Sequence, residues 1–310
     1  YALGAGQEVE SLTTDNNFGT ASINLTGNEF SQAIYGNEGA NILNGGGGSA
    51  ADTLVGLGGN DWYFVNHAGD RIIEGPDQGA TDRVFAHVSY VLNSGAAVEI
   101  ISTDDNSGTG AINLTGNELA QVIYGNEGAN TINGGGGSAA DTLVGFGGND
   151  WYYVSHTADR VLEAVGGGND RVLTSVDYKL GAGQEIEILS TTNNAGTNSF
   201  HLWGNEFNNT IYGNAGANVL YGGAGNDTLV GMGGHDNFVF DTALNAATNV
   251  DTISGYTSVT GAAAEIDHVY LAHGIFAIAG AAGTTLAAGA FYSAAGATSG
   301  HDADDRIIYN

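Results

Sequence analysis

From Gly204 to Val239 the chain repeats a nine-residue unit without interruption: GNEFNNTIY, GNAGANVLY, GGAGNDTLV, GMGGHDNFV. Glycine stands first in each. Asn or Asp stands sixth (Asn209, Asn218, Asp227, Asp236) and an apolar residue eighth (Ile211, Leu220, Leu229, Phe238). Helix is disfavoured here, because glycine inside a helix costs about 1 kcal/mol relative to alanine. The unit reads instead as a glycine-rich turn followed by a strand of about three residues, of which only the middle one faces inward. Two units then close one coil of about 18 residues, and coils stack about 4.8 Å apart. So short a strand has no core of its own, so the core exists only as a stack. The pattern predicts an all-β, right-handed parallel β-solenoid.

A longer period encloses the short one. YALGAGQEVESL at Tyr1 returns as YVLNSGAAVEII at Tyr90 and as YKLGAGQEIEIL at Tyr178. INLTGNEF at Ile23 returns as INLTGNEL at Ile112 and FHLWGNEF at Phe200. Three modules follow from this, 1–89, 90–177 and 178–240, and residues 241–310 are left as a capping segment of different composition. In the first two modules position six is filled by Gln32, Asn41, Asp52, Asp61 and by Gln121, Asn130, Asp141, Asp150. There GGGGSAAD replaces GGAGND, and this two-residue insertion is expected to push Asp52 and Asp141 out of register.

Charge says what the turns must do. Asp plus Glu is 34 against 6 for Lys plus Arg, a formal net charge of -28. Nucleic acid is excluded as a partner, since phosphate binding draws on Lys and Arg. The uncharged stretch from Gly274 to Phe291 is rich in Ala, Gly and Thr, a poor membrane span. With no cysteine, neither disulfides nor thiolate metal sites hold the fold. Self-repulsion on this scale opposes compaction unless a cation neutralises it. Calcium takes six to eight oxygens at about 2.3–2.6 Å from carboxylates and carbonyls, and stacked glycine turns supply both. The expected ligand pairs on neighbouring coils are Asn41 with Asp61, Asn130 with Asp150, Asn209 with Asp227, and Asn218 with Asp236. Asp70 and Asp159 extend the series toward Asp52 and Asp141. Backbone carbonyls are expected from Gly56, Gly58, Gly145, Gly147, Gly222, Ala224, Gly231 and Gly233. An alternative needs no metal: Asp and Asn suit such turns in their own right, and stacked Asn side chains stabilise solenoids.

GGAGNDTLV at Gly222–Val230 resembles the RTX (repeats-in-toxin), or hemolysin-type, calcium-binding nonapeptide, whose pattern is Gly-Gly-x-Gly-x-Asp-x-apolar-x. The resemblance implies a parallel β-roll with calcium between its turns. It also implies export through ABC-type secretion machinery and folding on meeting extracellular calcium. The tail resembles C-terminal regions that carry secretion information. Gln32 and Gln121 depart from the pattern, and sites lined by amides are expected to bind weakly.

No GxSxG, P-loop or HExxH pattern occurs, so a catalytic role is not expected. The expected function is that of an extracellular calcium-binding structural or assembly protein, associating with copies of itself. The alternative is the calcium-binding region of a larger secreted enzyme, Tyr1 falling inside a motif as a cut edge would. Arg71, Arg83, Arg160, Arg171 and Arg306 each follow an aspartate and are expected to compensate its charge. Trp62, Tyr63, Trp151 and Tyr152 are expected to pack in the core or on the surface.

Overall fold

The computed structural model describes residues 1–76, 78–243, 245, 247–256, 266–272, 291–293 and 307–309. Within them the chain is an all-β solenoid without a helix, and its sheets are parallel throughout. Successive strands alternate between two faces. One face carries a four-stranded sheet, from Ser11–Thr13 to Arg71–Ile73, followed by a nine-stranded sheet from Tyr90–Val91 to Thr252–Ser254. The other carries an eight-stranded sheet, Asn24–Thr26 to Arg160–Leu162, and a five-stranded one, Tyr178–Lys179 to His268–Leu271. Where one sheet gives way to the next, tyrosine hydroxyls bridge the coils. Tyr90 Oη donates to the Asp70 carbonyl at 3.0 Å, and the Val161 amide donates to Tyr178 Oη at 3.3 Å.

The strands are as short as the repeat predicts, and in the three-residue strands of the nonapeptide coils the middle residue is buried. Ile34, Leu54 and Ile72 stack in register on one face; Leu43, Tyr63, Val84, Ile101, Ile123 and Leu143 stack on the other. All nine are fully buried. The coil is less regular than its nonapeptides suggest. It takes 18 residues from Asn24 to Ile42, 20 from Ile42 to Trp62, 21 from Trp62 to Arg83 and 17 from Arg83 to Ile100. Inward residues hold register, and surplus residues go to the turns, where lengthening a loop costs little.

The two-residue insertion follows the same rule, contrary to expectation. Asp52 and Asp141 stay in register, each accepting a backbone hydrogen bond from the coil before, from Gln32 N at 2.7 Å and Gln121 N at 2.8 Å. Extra glycines such as Gly47 and Gly136 protrude into open space.

The arginines also depart from expectation. The aspartates turn inward at the strand starts while the arginines lie on the outer faces. Arg83 sits over the Phe85 ring at 4.5 Å and Arg171 over the Trp151 ring at 5.3 Å. Among the described residues the ion pair seen is His87 with Asp104. Arg306 lies outside the described residues. Of the aromatic pairs, Tyr63 and Tyr152 are core, whereas Trp62 and Trp151 are nearly half exposed.

Nine strands make one module, Asn24–Thr26 through Ile100–Thr103, and the next nine begin at Leu114–Thr115. Nine is odd, so equivalent strands of consecutive modules fall on opposite faces. The stack also runs on past residue 240: Thr252–Ser254 pairs with Thr228–Val230, and His268–Leu271 with Asn237–Phe240. Phe291–Ser293 and Ile307–Tyr309 form a separate parallel pair, and most of the expected capping segment lies outside the described residues.

Candidate metal centres

Each position-six side chain sits where a turn enters its strand, and its backbone amide points at the equivalent side chain of the following coil. Asn41 N donates to Asp61 Oδ1 (2.6 Å), Asp61 N to Asp82 Oδ1 (2.7 Å) and Asp82 N to Glu99 Oε2 (2.7 Å). The second module repeats this: Asn130 N to Asp150 (2.7 Å), Asp150 N to Asp170 (2.8 Å), Asp170 N to Glu187 (2.6 Å). In the third, Asn209 N donates to Asp227 Oδ1 and Asn218 N to Asp236 Oδ1, and the backbone amides of Asp227 and Asp236 donate to Asp251 and Asp267. The backbone amides of Asp52 and Asp141 donate to Oδ1 of Asp70 and Asp159 at 2.9 Å each. One carboxylate oxygen is therefore spent on the neighbouring coil. The expected partners are all brought together, but the amides and the carboxylates play different parts.

The amide turns close on themselves. Asn41 Oδ1 accepts from Asn37 N, and its Nδ2 donates to Asn37 Oδ1; Asn130 with Asn126 and Asn218 with Asn214 do the same. Asn209 accepts from Asn205 N and donates to the Ile186 carbonyl. Gln32 and Gln121 close on Asn28 and Asn117 in like manner. Every such turn carries Asn second, directly after its first glycine.

The carboxylate turns are built differently. Their second residue, Gly46, Leu57, Gly135, Phe146, Gly223 or Met232, has positive φ, and for the three non-glycines it is 72–76°. That costs an L-residue roughly 1–2 kcal/mol and turns the loop backbone over. The first glycine of each turn lies against the sixth residue's free oxygen: a Cβ on Gly45, Gly134, Gly222 or Gly231 would stand 2.1–2.4 Å from Oδ2 of Asp52, Asp141, Asp227 or Asp236. No side chain but hydrogen fits. The carbonyls of Gly56, Gly145, Gly222 and Gly231 crowd the first glycine of the coil before, 2.1–3.0 Å from where its Cβ would be. A Cβ on Gly58 or Gly147 would meet the carboxylate of Glu38 or Glu127, and the amides of Ala224 and Gly233 bond the preceding coil. Asp70 and Asp159 are committed on both oxygens, the second accepting from Asn66 and His67 and from Ser155 and His156.

Two clusters hold carboxylates that the nonapeptide pattern does not mark: Asp61 with Glu74 and Asp82, and Asp150 with Glu163 and Asp170. All six residues are buried, and in each cluster the ligand atoms lie within 4.8 Å of one another. Tyr63 Oη donates to Glu74 and Tyr152 Oη to Glu163. Oδ2 of Asp61, Asp82, Asp150, Asp170 and Asp227 is buried without any hydrogen-bond partner. Burial pushes Asp61 up to about 7, with the backbone hydrogen bond from Asn41 opposing and the Asp82 charge adding. It pushes Glu74 up to about 8, Asp82 to about 6, Glu163 and Asp170 to about 7 and Asp227 to about 7. Asp82 and Asp170 had a signal in sequence, since each stands immediately before a strand as Asp61 does. Glu74 and Glu163 had none.

A calcium ion meets these demands. Calcium holds oxygens at about 2.3–2.6 Å, so ligand atoms within 4.8 Å of one another can share one ion, and its charge answers the buried oxygens left without a donor. Fold and turns together define a calcium-binding parallel β-roll. The family model for the RTX calcium-binding nonapeptide repeat (4 copies) matches residues 26–63, 115–138, 136–155 and 203–238, so these segments are RTX repeats. No curated protein and no solved structure was found to match.

Proposed function

We propose that the protein is a secreted, extracellular structural element, stiffened into a rod by calcium and able to assemble with copies of itself. What carries this reading is the run of buried carboxylates along the turn edges, with free oxygens on Asp61, Asp82, Asp150, Asp170 and Asp227. Burying unpaired carboxylates is costly, so the roll without cations opposes its own charge. A ligand present at a hundred times its Kd stabilises the folded state by about 2.7 kcal/mol per site. Several such sites convert an exportable, expanded chain into a rod wherever calcium is plentiful. No helix of the described residues is long and apolar enough to cross a membrane. The flat faces, with Trp62 and Trp151 on opposite sides, offer the surfaces for lateral contact.

The test is far-UV circular dichroism with size-exclusion chromatography in EDTA and across a calcium titration. An expanded chain in EDTA that becomes compact and β-rich, then enters larger species as protein concentration rises, is the expected result. A compact β-rich chain in EDTA would show that the amide turns suffice. A calcium-loaded monomer at every concentration would remove self-assembly from the proposal.

A further inference from the structure

The three modules differ at one place in the roll. Strand register sets Gly56 beside Glu74 and Gly145 beside Glu163, but Gly231 beside Gly255. The fully buried middle residue of the next strand is Tyr63 in the first module, Tyr152 in the second and Phe238 in the third. Glutamate and a phenol at that core position are thus present together twice, while in the third module both are replaced and Phe238 packs against the Tyr256 ring, centroids 6.4 Å apart. Had the tyrosines served packing alone, phenylalanine would fill the core in all three with no matching change in the turn. The hydroxyl instead meets the glutamate, and both point at one space. A Cβ on Gly56 would lie 2.0 Å from Tyr63 Oη, 2.2 Å from Asp61 Oδ2 and 2.6 Å from Glu74 Oε2; on Gly145 the corresponding distances are 2.0, 2.1 and 2.9 Å.

We propose that Asp61, Glu74 and Asp82, and likewise Asp150, Glu163 and Asp170, form a second class of calcium site that fills before the ordinary nonapeptide sites and sets the calcium level at which the first two modules fold. This rests on the calcium-coupled folding proposed above. Three convergent carboxylates replace the two of an ordinary pair, and calcium affinity rises with ligand charge and with site rigidity. Rigidity comes from both sides. Asp61 and Asp82 are each held on one oxygen by a backbone amide, leaving Oδ2 buried and free, and Tyr63 aims the glutamate. Tyr63 and Tyr152 are positioning residues; the carboxylates are the ligands. Because a module spans nine strands, the two sites lie on opposite edges of the roll. The third module keeps Asp236 and Asp267 but not the glutamate, and folds at higher calcium.

The experiment is calorimetric titration of the full chain with calcium, with far-UV circular dichroism read at each point. Two ions are expected in a class about tenfold tighter than the rest. In E74Q/E163Q that class disappears while the dichroism at saturating calcium matches the parent. Y63F/Y152F, which copies Phe238, weakens the tight class and leaves the weaker one in place; D236N does the reverse. Should the double variant fail to fold, E74Q and E163Q singly must each remove one tight ion. An isotherm for E74Q/E163Q superimposable on the parent's overturns the proposal. Absence of any calcium binding by the parent instead overturns the folding reading beneath it.

Discussion

Gly56 and Gly47 stand nine positions apart along the chain, and they make a sharp pair. At Gly56 a methyl group would collide with Tyr63 Oη, Asp61 Oδ2 and Glu74 Oε2; at Gly47 it would meet nothing within 4 Å. Overpacking of this kind costs about 1–3 kcal/mol, and here it also fills the space an ion would take. Gly56→Ala should therefore lower the thermal midpoint in calcium and shift the calcium titration to higher concentration. Gly47→Ala should change stability by less than about 0.5 kcal/mol. Equal effects from the two would mean that the space beside Gly56 is not a cation site. At this scale the sequence was legible in part. Position six was plain from the repeat, but the residue deciding its use stands at position two. Asn there marks a turn closed by amides, as at Asn37 and Asn41, whereas Gly, Leu, Phe or Met there marks a carboxylate turn with positive φ. Glu74 and Glu163 were not legible, because only strand register places them beside the glycines of another coil.

A turn of the second kind carries a titrating charge that a turn of the first kind lacks, so the element responds to pH. Folded Asp61, Asp170 and Asp227 hold their protons up to about 7, raised from 3.8 chiefly by burial. Between those values the folded state binds more protons than the unfolded one, so stability falls as pH rises. For the calcium-free roll this contribution is fully present below about pH 4, is lost progressively up to about 7 and is constant above. Calcium reverses the dependence, since protons compete for the same oxygens: its titration midpoint should move to higher concentration as pH drops below about 7. Circular dichroism in chelator from pH 8 down to 4.5, in which β signal without calcium should appear only toward the acid end, and calcium titrations over the same range, check both limbs. A calcium-free roll that grows more stable toward pH 8 would mean that its buried aspartates are ionised and satisfied. The strands themselves were legible because the inward residue is the eighth of nine. Coil length was not: segments such as Arg83–Ala86 and Ile100–Thr103 sit in register 17 residues apart, and only stacking of Val84 on Ile101 shows where each coil closes.

Over the whole molecule, a formal charge of -28 is folded into a roll whose acidic turns run along both edges. Two explanations of calcium dependence compete at this scale. Either any cation suffices, by screening the repulsion, or the turns need a ligand-binding ion that replaces missing hydrogen-bond donors. Salt separates them. In 1 M sodium chloride the screening length is about 3 Å, which removes long-range repulsion between coils and edges. It does nothing for Oδ2 of Asp61 or Asp150, which is buried and has no donor within reach. Small-angle scattering in chelator should accordingly report an expanded chain with or without 1 M salt, with a radius of gyration near the ~60 Å of an unfolded chain of this length. Millimolar calcium at low salt should bring it toward ~20 Å. If salt alone compacts the chain and restores the β signal, repulsion was the only obstacle and the buried oxygens find partners by themselves. If calcium alone does so, the roll is completed by specific coordination, and the odd number of strands per module places those bound ions alternately along its two edges.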